Sequence, residues 1–170
     1  PSKGYEYATI KGHKCAIIVG DDLSRERDFD QSVETVISIN ARKYGKGTMT
    51  YRYEMMRNLA FVESKNLVLV NQVGGSTDIV YDGTSGALNS RGELVLMMKN
   101  FEEDFQIFDT KASARPITIP STYNDRTRLV YEAARCGLRD FFRKNGYRKA
   151  SIGLSGGIDS AVVACLAADA

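Results

Sequence analysis

Residues 155–160, Ser155-Gly156-Gly157-Ile158-Asp159-Ser160, constrain the fold more than any other stretch. They sit between an apolar run at 150–154 and a small-residue helical pattern at 160–170. The order predicts a parallel-sheet strand over 150–154, a tight turn over 155–157, and a helix that begins near Ile158 with its amino end open to solvent. Such a junction is suited to an anion. Its glycines let the backbone come close, and the unpaired amides and positive end of the helix dipole face outward. Ser155 and Ser160 add hydroxyl donors, and Asp159 can place a magnesium ion that shields phosphate charge.

The loop lacks the lysine of a Walker sequence, G-x-x-x-x-G-K-[ST], so it is not the usual kinase or GTPase cradle. Residues 153–161, Gly153-Leu154-Ser155-Gly156-Gly157-Ile158-Asp159-Ser160-Ala161, resemble the pyrophosphate loop of the N-type ATP pyrophosphatases. Those enzymes split ATP between its α and β phosphates and activate a substrate as its adenylate. A plain helix cap would account for one serine and one glycine, but not for two of each and an aspartate. The resemblance makes Ser155, Gly156, Gly157, Asp159 and Ser160 the ATP-binding candidates, with Asp159 also the metal candidate.

Composition narrows the remaining classes. The 170 residues suffice for one domain or slightly more, and 43% hydrophobic content supports a packed core. A formal net charge of +2, with basic residues scattered, gives no ground for nucleic-acid binding. Cys15, Cys136 and Cys165 are widely spaced and contain no C-x-x-C, which points to reduced thiols in a cytoplasmic protein without structural zinc. His13 is the single histidine, which argues against a Ser-His-Asp triad; it is expected in an exposed hairpin turn. No apolar run reaches the ~20 residues of a membrane span, and no signal peptide is visible. The chain opens on Pro1 and stops at Ala170, about three turns into the phosphate-site helix, so it is expected to be a piece of a longer protein.

Along the chain, residues 5–10 and 15–19 read as strands joined at Gly12, followed by a polar loop at 24–30 and a strand at 35–39. Thr48 is expected to cap a helix running to about Glu63, with Met49, Tyr53, Met56, Leu59 and Ala60 on its core face. Strands are expected at 67–73, 78–82, 84–88, 93–99 and 105–110, with a turn at 89–92. Two prolines, Pro116 and Pro120, then mark a linker. From Asn124 the pattern is helical, with Leu129, Val130, Ala133, Ala134, Leu138, Phe141 and Phe142 on one side and Gly146 as the stop. The expected organisation is α/β: a first unit at 1–112, a linker at 113–123, and the start of a nucleotide-binding unit at 124–170.

The pyrophosphate loop alone does not choose among its relatives, but the upstream unit does. Residues 69–78, Leu69-Val70-Asn71-Gln72-Val73-Gly74-Gly75-Ser76-Thr77-Asp78, continuing with Val80-Tyr81-Asp82-Gly83-Thr84-Ser85, resemble the C-terminal half of the nitrilase-like glutaminase domain of glutamine-dependent NAD synthetases. Residues 131–146 resemble the helix that precedes the loop in the same family. The resemblance runs from about residue 5 to the end. It implies part of a nitrilase-like αββα sandwich, followed by the first helix, strand, loop and helix of a Rossmann-like adenine-nucleotide α-hydrolase domain.

What the family implies for function is specific. ATP adenylates the carboxylate of nicotinic acid adenine dinucleotide with release of pyrophosphate, and ammonia, normally drawn from glutamine, displaces AMP to give NAD. ATP and Mg2+ are the implied cofactors, the partners are small molecules with no nucleic acid or membrane, and the full-length enzyme is expected to be a homo-oligomer in the cytoplasm.

Two segments depart from the family pattern. After the buried strand the family reads Ile-Cys-Glu-Asp, whereas this chain reads Val19-Gly20-Asp21-Asp22, with Gly20 at the nucleophile position. A residue without a side chain forms no thioester. Gly20 is expected in a pocket at the strand's carboxyl end, and Cys15, five residues earlier, is expected as a buried thiol outside it. Asp21 and Asp22 read as caps of the next segment rather than a metal pair. The Ser-Pro-Phe run expected near 40–44 is Asn40-Ala41-Arg42-Lys43-Tyr44. The first reading is therefore an NAD synthetase piece whose glutaminase half is degenerate, and which by itself is inactive. The alternative is a non-catalytic nitrilase-like scaffold or oligomerisation module attached to an ATP-pyrophosphatase unit of other specificity.

Overall fold

The computed structural model describes residues 4–20, 28–111 and 115–170. Among the described residues, eight strands and three α-helices follow in the order β1 (Glu6–Ile10), β2 (His13–Val19), β3 (Thr35–Asn40), α1 (Thr48–Glu63), β4 (Asn66–Asn71), β5 (Val73–Ser76), β6 (Ile79–Asp82), β7 (Gly86–Leu88), β8 (Leu94–Met97), α2 (Arg126–Asn145) and α3 (Ile158–Asp169). Six strands form one mixed sheet in the order β1-β2-β3-β4-β7-β8, and β5 and β6 form a separate hairpin. The centre is parallel, β2 with β3 and β3 with β4, and the flanks are antiparallel.

Register explains which face is core. Ile18, Ser38 and Leu69 line up across the parallel strands on one face, and Ile17, Ile37 and Val68 line up on the other. The first face is buried under α1, where Met49, Tyr53, Met56 and Ala60 meet Ala16, Ile18, Val36, Leu67 and Leu69. The second face, among the described residues, is covered at Cys15 and Thr35 and open toward the strands' carboxyl ends. Val19 is 68%, Ile39 43% and Val70 48% exposed, although strands apolar at nearly every position are the kind that bury both faces.

The sequence expectations hold for β1 to β3 and for the three helices, and fail at identifiable places. Residues 149–154 form no strand and are exposed, because no strand among the described residues lies beside them to complete a ladder. Residues 105–110 also form no strand; Phe105 and Ile107 stand in solvent. The 67–73 run breaks at Gln72 into β4 and β5, as the chain leaves the main sheet for the hairpin. Thr48 is inside α1, whose cap is Gly47 at φ 77°; its hydroxyl instead donates to the Gly45 carbonyl. His13 is the first residue of β2, not a turn residue, and its Nδ1 meets the Glu34 carboxylate at 3.0 Å.

Helix α2 starts on the Asp125 side chain, which accepts from the Arg128 amide, and stops at Gly146 in the left-handed region. Its buried positions are Ala133, Cys136 and Asp140, while Val130 and Phe141 of the expected apolar face are exposed. The helix packs on β5–β6 along one side and on α3 along another, so its apolar residues spread over more than one stripe. Residues 117–123, ahead of α2, are tied to the sheet: the Ile117 amide donates to the Leu94 carbonyl at 2.8 Å, and the Tyr123 hydroxyl donates to the Met98 carbonyl at 3.1 Å.

Candidate functional site

The 155–160 loop has the predicted turn and helix start. Gly156 sits at φ 84°, where a side chain would be strained, and Gly157 is the N-cap of α3 without any side-chain cap. The amides of Ile158, Asp159 and Ser160 therefore have no intrahelical acceptor. The two hydroxyls close on each other, Ser155 Oγ and Ser160 Oγ at 3.3 Å, and Ser160 Oγ donates to the Gly157 carbonyl at 3.0 Å. The Ser155 amide reaches Ser160 Oγ at 3.3 Å, and the Gly157 amide reaches Ser155 Oγ at 3.4 Å. These internal bonds hold Ser155, Gly157 and Ser160 together on an exposed loop, with Gly156 inside the turn and Asp159 in the first turn of the helix. An incoming phosphate oxygen can replace them at little cost.

Magnesium bound beside a nucleotide takes one or two protein carboxylates and fills its shell with phosphate oxygens and water. Among the described residues no group of three or more His, Cys, Asp or Glu side chains is placed to hold a metal ion. Asp159 is one exposed carboxylate in the first turn of α3. That donor set fits an ion shared with a nucleotide and does not fit a closed protein cage.

Gly20 ends β2 at φ 82°, and its amide continues the parallel ladder to the Ile39 carbonyl at 2.9 Å. A Cβ built there meets nothing within 4 Å. Among the described residues it borders none of the main cavities, contrary to the pocket expected for it. Cys15 does border one. A cavity of about 810 Å³ lies on the second sheet face beneath residues 102–110, and Cys15 belongs to the row of side chains in register with that face. The thiol is 5% exposed, its pKa is raised by burial and by Glu34, and its Sγ lies 3.7 Å from the His13 carbonyl. The thiol is buried as expected, but its place on the wall of a cavity corrects the expectation that it lies outside one; burial and the raised pKa make it a poor nucleophile. Asp21 and Asp22 lie outside the described residues.

Three comparisons bear on the chain. The NAD synthase family model matches residues 130–170. A glutamine-dependent NAD(+) synthetase of Acinetobacter baylyi is 30% identical over 177 aligned residues, which cover 99% of this chain and 33% of the relative. The solved structure of glutamine-dependent NAD+ synthetase from Acinetobacter baumannii in complex with ADP superposes with a TM-score of 0.79 at 29% identity, over 97% of this chain and 32% of that one. The homologues of this chain are glutamine-dependent NAD+ synthetases. It spans about a third of the length of the NAD synthetase relatives it matches. The fold alone is shared with a carbon-nitrogen hydrolase from Helicobacter pylori, at a TM-score of 0.51 and 18% identity over 61% of this chain and 42% of that one.

Behind the strand ends lies a polar network that the sequence reading passed over. Arg52, 1% exposed, makes a two-pronged ion pair with Asp82 at 3.2 and 2.5 Å. Asn71 donates to Asp82 at 3.1 Å and to the Gly83 carbonyl at 3.0 Å, and its Oδ1 accepts from the Arg42 amide at 2.9 Å. Asn40 is buried, with Nδ2 donating to Ser38 at 2.8 Å and Oδ1 unpartnered. A signal for Arg52 was available: it stands three residues after Met49 and four before Met56, inside the apolar stripe of α1. Asn40 and Asn71, paired across β3 and β4, lie within stretches already compared with the NAD synthetase family.

Proposed function

We propose that this chain is the glutaminase–synthetase junction of an NAD synthetase, comprising the C-terminal half of a nitrilase-like unit (1–112), a linker (113–123) and the first part of an ATP-pyrophosphatase unit (124–170). The observation that carries the reading is the loop at the start of α3, with two hydroxyls, a glycine at positive φ and an uncapped helix amino end around one exposed point. The homology to NAD synthetases supports the substrate.

In this reading the complete protein binds ATP and nicotinic acid adenine dinucleotide. An oxygen of the nicotinate carboxylate attacks the α phosphorus, the bond to the β-phosphate oxygen breaks, and pyrophosphate leaves. Charge grows on that leaving group. The amides of Ile158, Asp159 and Ser160 meet it already oriented, and the hydroxyls of Ser155 and Ser160 turn to it by giving up their internal bonds. Asp159 would hold the magnesium ion, which supplies further charge neutralisation when bound. Ammonia then attacks the acyl carbon of the adenylate, AMP departs with the bonding electrons, and the ammonium proton passes to solvent. The result is the amide.

The same reading makes the nitrilase-like half hydrolytically silent, since Gly20 offers no sulfur and Cys15 is buried with a raised pKa. The test is NAD formation by the purified full-length protein with ATP, magnesium and either ammonium or glutamine. Ammonium is expected to support turnover and glutamine is not. Glutamine-driven NAD formation would reject the silent glutaminase, and no turnover with ammonium would reject the synthetase assignment.

A further inference from the structure

We propose that Asp140 is a positioning residue for the phosphate loop: with Lys144 it clamps α2 to Gly75 of the β5–β6 hairpin, and α2 carries α3 and its loop. The inference rests on the reading of residues 155–160 as an ATP site, and it gives the otherwise silent first unit a task.

The clamp is built on one residue of an edge. Among the described residues β5 pairs only with β6, Gly75 opposite Val80, so one side of β5 would leave its amides and carbonyls bare. Helix α2 covers that side. Asp140 Oδ2 accepts from the Gly75 amide at 2.8 Å, and Lys144 Nζ donates to the Gly75 carbonyl. Both main-chain groups of Gly75 are therefore satisfied by side chains one turn apart on α2. The backbones touch directly. A Cβ on Gly75 would fall 2.9 Å from Gly137 Cα, and one on Gly74 would fall 2.7 Å from Asp140 Oδ2.

Apolar packing alone would hold a helix here more cheaply than a buried carboxylate, because removing a charge from water is costly. The carboxylate is nevertheless retained at 2% exposure, with Arg139 and Arg143 each 3.4 Å from its other oxygen. What the arrangement adds over apolar packing is direction: a charge-assisted bond to one amide fixes the helix's register along the hairpin. The hairpin is itself anchored, since Asp82 at the end of β6 is the partner of Arg52 and Asn71 in the buried network.

On its other side α2 holds the loop's helix. No residue of α3 is buried; it packs against α2, where the Tyr131 hydroxyl bonds to the Asp169 carboxylate. A slip of α2 along the hairpin is thus handed to α3 and to the amides that must meet the phosphates. Misplacement of about 1 Å at a reacting centre costs on the order of a hundredfold in rate, so the clamp need yield only slightly to be felt.

The test uses the full-length protein, with ATP KM and kcat measured at saturating ammonium and melting temperature measured alongside. Gly75→Ala and Asp140→Ala are expected to raise the KM for ATP about tenfold or lower kcat to match. Lys144→Ala, a surface change that keeps the fold, is expected to move KM the same way by about threefold. Asp140→Asn keeps an oxygen for the Gly75 amide and should recover most of the loss seen with alanine. The clamp is overturned if these variants melt earlier yet keep wild-type KM and kcat, or if Asp140→Asn behaves no better than Asp140→Ala. Ser155→Ala separates the two claims. If it leaves ATP use intact, the ATP site and the clamp both fail; if it raises KM while Gly75→Ala does not, the clamp alone fails.

Discussion

Asp159 and Arg52 show how differently two charged residues can be spent. Asp159 is exposed and carries no structural load, so Asp159→Ala is expected to lower magnesium–ATP turnover of the full-length protein by about a hundredfold. Its melting temperature should stay within about 2 °C, as for most surface substitutions. Retained adenylation with a large loss of stability would instead make Asp159 a helix-capping residue. Arg52 is the reverse case. Its pair with Asp82 is buried on both sides, and removing one partner strands the other charge. Arg52→Met alone is therefore expected to cost about 3–5 kcal/mol in denaturant melts. Arg52→Met with Asp82→Leu should cost clearly less than the two single changes added together, which a double-mutant cycle reads directly. Additive losses would mean that the pair is not coupled.

At the scale of elements, α2 against β5–β6 gives a pH signature. Burial works against ionisation of Asp140, but the Gly75 amide, Arg139 and Arg143 outweigh it and hold the carboxyl below its ordinary value of 3.8. The unfolded chain then binds that proton more tightly than the folded one. Its contribution is complete above the ordinary value and is lost as pH falls through the lower folded value. The difference in melting temperature between wild type and Asp140→Asn should thus be constant from pH 7 to 5 and shrink below about pH 4; a gap that widens in acid would contradict the assignment. This contact also marks the limit of what was legible in the chain. Local signals were enough for β1 to β3, α1 and the α3 start, because periodicity, Gly12 and the loop glycines act over a few residues. The clamp depends on Gly75 and Asp140, 65 positions apart, and a carboxylate between Arg139 and Phe141 reads from sequence as solvent-facing. The apolar run at 149–154 reads as a strand, but a strand also needs a neighbour, which composition does not report.

For the whole molecule, the open sheet face is the feature with the largest consequence. β2, β3 and β4 are apolar on both sides, yet among the described residues one side is buried under α1 while the other is covered only toward its Cys15 and Thr35 end and leaves Val19, Ile39 and Val70 exposed. Val19, Ile39 and Val70 lie side by side near the strand ends and continue into the Ile17, Ile37 and Val68 row beside the 810 Å³ cavity. A patch of this kind on a monomer is an interaction surface or an aggregation hazard. The relatives are about three times as long as this chain, so the two cases can be compared experimentally. In the isolated 170 residues, Ile39→Lys and Val70→Lys should reduce binding of an apolar-surface dye and raise solubility, since the lysines meet water. In the full-length protein the same pair should lower the melting temperature, because each would place a charge inside a covered layer, a cost of several kcal/mol unless the side chain escapes. Opposite signs in the two proteins would show that polypeptide outside these residues packs on this face. Equal and small effects in both would show that the face stays in solvent, and the two-sided apolar pattern of the central strands would then need another cause.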